Sequence, residues 1–143
     1  MTLLTLNNDT SKSMREHALA TFPEECCGFL FGSSKDDKVS VEDVKVVENI
    51  HPDHKARRFL ISPEDYMKAE KYADENGLTL VGVYHSHPNH PALPSETDRL
   101  AAMPGFTYII HSIMDGEPAD VTAWELEEDR SKFRAVEIVN NEE

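Results

Sequence analysis

No stretch of this chain stays apolar for the roughly 20 residues that a helix needs to cross a bilayer, so nothing in it reads as a membrane span. The N-terminus, Met1-Thr2-Leu3-Leu4-Thr5-Leu6-Asn7, has no basic lead and no long apolar core, which argues against a signal peptide. There is no internal repeat and no low-complexity tract. Positive charge is scarce: 14 Lys and Arg stand against 27 Asp and Glu, a formal net charge of -13. Such a surface repels phosphate backbones, so nucleic acid is disfavoured as a partner and a protein with a basic face is favoured. Only two cysteines are present, with no Cys-x-x-Cys pair, which excludes zinc held by thiolates. Cys26 and Cys27 are adjacent. On a strand they point to opposite faces, so a bridge between them would be strained. They read as small buried hydrophobes, and free thiols fit a reducing cytoplasm.

With 143 residues, the chain is expected to form one domain over residues 1–143, with a core that needs no disulfide. Thr2 to Leu6 alternate as a short strand. Met14, Ala18 and Phe22 recur at spacing four and predict a helix over Thr10 to Phe22, ended by Pro23. Cys26 to Phe31 read as a central strand, and Ser33 to Asp37 as a turn. Valines from Val39 to Val47 mark one or two strands with an irregularity near Asp43, and Phe59 to Ile61 a short strand after an exposed loop. Ser62 caps a second helix that has Pro63 at its first position and Gly77 as its stop. The strand Leu78 to His85 follows, then a third helix over Ser95 to Met103. Phe106 to Ser112 and Ala119 to Glu125 pair around Asp115-Gly116, Phe133 to Val139 add a last strand, and residues 140–143 fray. The sum is an α/β domain with one mixed, curved sheet flanked by helices.

The most informative segment is His85-Ser86-His87-Pro88. Side chains at i and i+2 of a strand leave from one face, so both imidazoles can aim at one point. Asp98 stands eleven residues after the second His and supplies a third ligand if the loop between folds back. Two His and one carboxylate with an open fourth position make a catalytic zinc site. Such a site needs a base, and Glu25 is the best upstream candidate.

This pattern resembles the JAMM (MPN+) metalloprotease family. The family's string is a distant Glu, then His-x-His-Pro, seven residues to a Ser and two more to an Asp. Here residues 88–94 are the seven, Ser95 is the Ser, and Glu96-Thr97 precede Asp98. Glu25-Cys26-Cys27-Gly28-Phe29-Leu30-Phe31-Gly32 fits the family's Glu before a small residue in an apolar strand, which points to Glu25 and not Glu24. The resemblance runs from about Ser13 to Trp124. It implies a fold related to cytidine deaminase, with Zn2+ held by His85, His87 and Asp98. It also implies Glu25 as general base and then acid, and Ser95 as a hydrogen-bond donor to the oxyanion. The substrate it implies is a ubiquitin-like sulfur carrier ending in Gly-Gly, cleaved after that tail. The insertions with which eukaryotic members grip ubiquitin chains are absent. An extended Gly-Gly tail can thread a narrow cleft and join a sheet edge as an added strand.

Each residue also has a plainer reading. His17, His51, His54 and His90 lie in polar contexts and read as surface residues; His111 ends an apolar strand and is either core or close to the cleft. Ser95-Glu96-Thr97-Asp98 is also a helix capping box. Capping and ligation conflict for Asp98 if its carboxylate must turn back to the cap. Glu25 alone reads as a solvated strand-edge residue. Three rival functions share the pattern. A RadC-like protein has similar histidine spacing but is disfavoured by the acidic charge and the lack of its DNA-associated N-terminal region. Deamination lacks a Pro-Cys-x-x-Cys partner motif. A non-catalytic MPN scaffold has usually lost the ligands that stand here. Neither oligomeric state nor physiological metal is encoded in these spacings.

Overall fold

The computed structural model describes residues 2–141. Seven strands and three helices alternate as β1 (Leu3–Asn7), α1 (Asn8–Thr21), β2 (Cys27–Lys35), β3 (Lys38–Val47), α2 (Pro63–Glu75), β4 (Thr79–Pro88), α3 (Glu96–Ala101), β5 (Thr107–Met114), β6 (Glu117–Leu126) and β7 (Phe133–Asn141). The strands form a closed barrel in the order β1-β3-β2-β4-β5-β6-β7. This corrects the expected curved sheet. Closure comes from β1, which pairs in parallel with both β3 and β7. The strand order therefore has no terminal strand, although β1 pairs with β3 only at Lys38 to Ser40.

Local chemistry explains the elements. Asn7 caps α1 by accepting from Thr10 N, and Ser62 caps α2 by accepting from Asp65 N, with Pro63 in the first turn. Two hairpins turn on Asp36-Asp37 and Asp115-Gly116, all four residues with positive φ. That is the backbone which a two-residue primed turn requires. The turn expected over residues 33–37 is therefore confined to its last two, and β2 extends to Lys35. A bulge falls opposite Phe31/Gly32, where Asp43 and Val41 pair across and Glu42 is skipped, next to the predicted irregularity. Three further expectations are corrected. Phe59 to Ile61 form no strand, although Leu60 O accepts from Ile50 N at 3.0 Å, α3 stops at Ala101, and Asn140 and Asn141 belong to β7. Residues 142–143, expected to fray, lie outside the described residues.

Two apolar clusters fill the two faces of the sheet. Leu4, Leu30, Val41, Tyr84, Ile109, Ala123 and Val136, one from each strand, meet Met14 and Ala18 of α1. Phe29, Phe31, Leu80, Val83 and Tyr108 meet Ala69 and Ala73 of α2 on the other face. Cys26 falls in the first cluster and Cys27 in the second, both free and buried, as alternation predicts. Burial pushes their thiols up to about 11 and about 12, far from a reactive thiolate.

β4 carries the centre. Its register against β2 slips by one, from Gly82 opposite Leu30 to Leu80 opposite Phe31, so Val81 is the extra residue. Beyond the bulge, Val83, His85 and His87 share one face and Tyr84 and Ser86 the other. Parallel pairing with β5 continues through Pro88 opposite Ile113. His85 is therefore paired on both sides, with Cys27 of β2 and Ile110 of β5, and His87 on the β5 side, with Ser112.

Candidate active site

His85, His87 and Asp98 converge. His85 Nε2 lies 3.1 Å from His87 Nε2, His87 Nε2 lies 3.1 Å from Asp98 Oδ2, and His85 Nε2 lies 3.4 Å from that same oxygen. Ligand atoms around a tetrahedral ion with bonds of ~2.0–2.1 Å stand ~3.3 Å apart. Among the described residues this is the one cluster of ligand-type side chains with the spacing for a metal.

Hydrogen bonding decides what the cluster can hold. His87 Nδ1 lies 2.9 Å from Pro91 O. A carbonyl only accepts, so Nδ1 carries the proton and neutral His87 presents a lone pair at Nε2. That lone pair faces the carboxylate Oδ2 at 3.1 Å. Two acceptors at this distance are reconciled by a proton or a metal ion between them, or by the His85 Nε2–H donating to both. Burial lowers the His87 pKa, but the hydrogen bonds to Asp98 and Pro91 outweigh it and raise the value overall. For Asp98, burial raises the pKa, but neighbouring His85, its hydrogen bonds to both histidines and the Ser95 N–H hold it far below the carboxylate range. His85 is pulled down, chiefly by burial, and stacks on Phe59 with ring centroids 4.6 Å apart. The donor set of two imidazoles and one carboxylate therefore fits a borderline divalent cation.

The expected conflict at Asp98 does not arise. Its Oδ2 accepts from Ser95 N at 2.9 Å and faces both histidines, so one oxygen caps α3 and joins the cluster. Ser95 Oγ accepts from Asp98 N at 3.0 Å, which leaves its own O–H free to donate.

Glu25 is not the solvated residue of the plainer reading. It is 5% exposed, and its Oε1 has no hydrogen-bond partner. Burial pushes its carboxyl up to about 8, with His87 lowering it and Asp98 raising it. Glu24 beside it is exposed. Cys26 N, next in the chain, donates to Ser86 Oγ at 2.8 Å, which anchors Glu25 to the strand between the two histidines. Glu25, Arg57, Arg58, His87, His90 and Ser95 line one groove of about 360 Å³. On the other side of the cluster, His85 and Asp98 border an apolar cavity of about 160 Å³ walled by Phe59, Tyr66, Tyr108, Trp124 and Phe133.

Sequence reasoning passed over Asn49, Arg57 and Arg58, which read only as part of a charged loop. The signal lay in a lone Asn two residues past a strand, a residue type that bonds to nearby backbone. His111 proves to be core. It pairs with Ser86, on the face away from the cluster, and is 4% exposed with Nε2 unpartnered. Burial first, then His85 and Arg15, lower its pKa to about 4. Tyr84 packs edge-on to it. The unfolded chain takes up this proton below about 6.5 and the folded one only near 4, so stability is complete above 6.5 and falls as pH drops through that window. The loss should total ~3 kcal/mol. Urea titrations of wild type and His111→Leu at pH 7 and pH 4.5 check it. The variant should shed much of the acid loss, and parallel pH slopes would refute the assignment.

A family described as prokaryotic homologs of the JAB domain matches residues 8–127. A "Probable TtuB-protein conjugate cleaving protease" of Thermus thermophilus is 36% identical over 96 residues, covering 67% of this chain and 61% of that protein. A "Desampylase" of Haloferax volcanii is 36% identical over 99 residues, covering 68% and 69%. The matched stretch is thus less than two thirds of the Thermus protein's length. Among solved structures, a Desulfitobacterium hafniense protein superposes with a TM-score of 0.85 at 31% identity, covering 98% of this chain and 94% of the other. The matched span runs from the first turn of α1 to just beyond β6, and so takes in Glu25, His85, His87, Ser95 and Asp98; the chain belongs to the JAB-domain (JAMM/MPN+) family, in its prokaryotic branch.

Proposed function

We propose that this single domain is a zinc-dependent peptidase or isopeptidase. It hydrolyses the bond after the C-terminal Gly-Gly of a ubiquitin-like or sulfur-carrier protein in the cytoplasm. The observation that carries the reading is a cluster of His85, His87 and Asp98 with metal-ligand spacing beside a buried, unpartnered Glu25 carboxylate, in a groove that also holds Ser95. The names of the Thermus and Haloferax relatives, a conjugate-cleaving protease and a desampylase, supply the substrate class. No helix among the described residues is long and apolar enough to cross a membrane, and the free buried thiols fit a reducing compartment.

His85, His87 and Asp98 would hold the ion. Zinc there supplies a Lewis acid that polarises the scissile carbonyl and lowers the pKa of the attacking water toward ~7. Glu25 takes the water's proton and returns it to the leaving amine. Burial lifts its carboxyl and nearby positive charge lowers it, so it can both take and give a proton near neutrality. Ser95 donates its free O–H to the developing oxyanion. Ser95→Ala should lower kcat by ~10²–10³ with zinc content nearly unchanged. Loss of thermal stability with kcat intact would show that capping α3 is its only task.

The test is a sulfur-carrier protein bearing a short extension after Gly-Gly, incubated with the chain and followed by mass spectrometry. Chelator-sensitive release of the extension is expected. It should slow as salt rises, because the acidic body attracts a basic carrier face. If zinc stays bound while only unrelated peptides or DNA are processed, or nothing is, a RadC-like or scaffold role replaces this one.

A further inference from the structure

The base of this groove is clipped to one loop. Glu25 N donates to Lys55 O at 2.7 Å. Asn49 Nδ2 donates to Glu25 O at 3.1 Å and to Arg58 O at 3.0 Å. Asn49 Oδ1 accepts from His51 N at 3.0 Å and Leu60 N at 3.1 Å, which fills all four bonding positions of its amide. Arg57 N and Arg58 N both donate to His54 O, at 3.0 and 2.8 Å. The backbone of the two arginines is thereby fixed relative to that of Glu25. Their side chains are exposed and make no ion pair among the described residues, although the chain carries a formal charge of -13.

We propose that Arg57 and Arg58 form a carboxylate-binding subsite for the leaving group. The preferred substrate then releases an amine that bears a free α-carboxylate, as a C-terminal residue or short peptide does and an internal lysine does not. The inference rests on the hydrolase reading and sharpens its substrate. Glu25 hands its proton to the departing amine, so the amine side of the scissile bond faces Glu25. In this groove that is where the two arginines stand. A guanidinium fork matches a carboxylate bidentately, and charge-assisted bonds of this type are about twice as strong as neutral ones. A lysine joined through its side chain inside a folded protein presents no such carboxylate. The apolar cavity beyond His85 lies away from Glu25 and carries no cation to replace the pair.

The experiment uses one carrier whose Gly-Gly tail ends in a single alanine, made as the free acid and as the C-terminal amide. Binding is read first, with the zinc-loaded Glu25→Gln protein, so that no turnover is needed. The acid should bind about 10- to 100-fold more tightly than the amide, the worth of one charge-assisted contact. That ratio should fall to about one when Arg57→Gln and Arg58→Gln are added. With the active protein, kcat/KM should show the same preference for the acid. Equal affinity for acid and amide overturns the subsite, and so does a ratio that survives loss of both arginines. An acid preference that depends on the arginines, with no cleavage by the active protein, leaves the subsite standing and removes the hydrolase reading.

Discussion

Glu25→Gln is expected to lower kcat by ~10²–10⁴, the usual worth of a positioned acid–base group, with one zinc per chain retained. The substitution keeps the shape of the side chain and removes its ability to take a proton. The buried site tolerates the exchange, because the native carboxyl is already pushed up to about 8, chiefly by burial, and Oε1 forms no hydrogen bond that an amide would lose. Thermal stability should therefore hold or rise slightly, since a desolvated ionisable group is replaced by a neutral one. Metal analysis, a melting curve and single-turnover kinetics on the Gly-Gly carrier check the three parts together. Glu24→Gln is the control, because Glu24 is exposed and outside the groove. Equal damage from the two substitutions, or zinc loss in Glu25→Gln, would remove Glu25 from the role of base.

Much of this geometry was legible in sequence order. The alternation that places His85 and His87 on one face follows from the pleat alone, and the bulge at Val81 leaves it intact because it lies upstream. The caps at Ser62 and Ser95 follow from residue type and position. The placement of Asp98 was open, because a carboxylate at the third helical position has two destinations. A single oxygen serves both, since the Ser95 N–H and the two imidazoles approach Asp98 Oδ2 at once.

What was not legible depends on distant partners. Barrel closure needs β1 to lie in parallel between β3 and β7, and no local pattern specifies a parallel neighbour more than a hundred residues away. The backbone of Glu25 is likewise held by Lys55 and Asn49, on a loop whose composition says only that it is polar. His111 looked ambiguous for the same reason. Its face is set by the register of β5 on β4, which pairs it with Ser86 and not with a ligand histidine.

His87→Ala is expected to abolish zinc binding and, with it, turnover. Of the three candidate ligands His87 is the most constrained. Pro91 O fixes its tautomer, so the ring offers Nε2 to the cluster in only one way. Removing the ring leaves His85 and Asp98 3.4 Å apart, two ligands where a closed set needs three. The folded wild type should gain stability from the ion by mass action, ~4 kcal/mol at free zinc 1,000-fold above Kd. That corresponds to a rise in Tm of roughly 10 °C for a chain of this size. His87→Ala should melt at one temperature with or without zinc, and chelated wild type should fall from the zinc-loaded value. The variant must also leave the Asp98 carboxylate with only Ser95 N and His85 beside it, so its metal-free form should be no more stable than metal-free wild type. Zinc content by mass spectrometry under native conditions, melting curves across a zinc titration, and release of a Gly-Gly extension provide three independent readouts. Equal zinc content in wild type and His87→Ala, or a zinc-dependent Tm that survives the substitution, would place the metal elsewhere and remove the basis for metal-assisted hydrolysis at this groove.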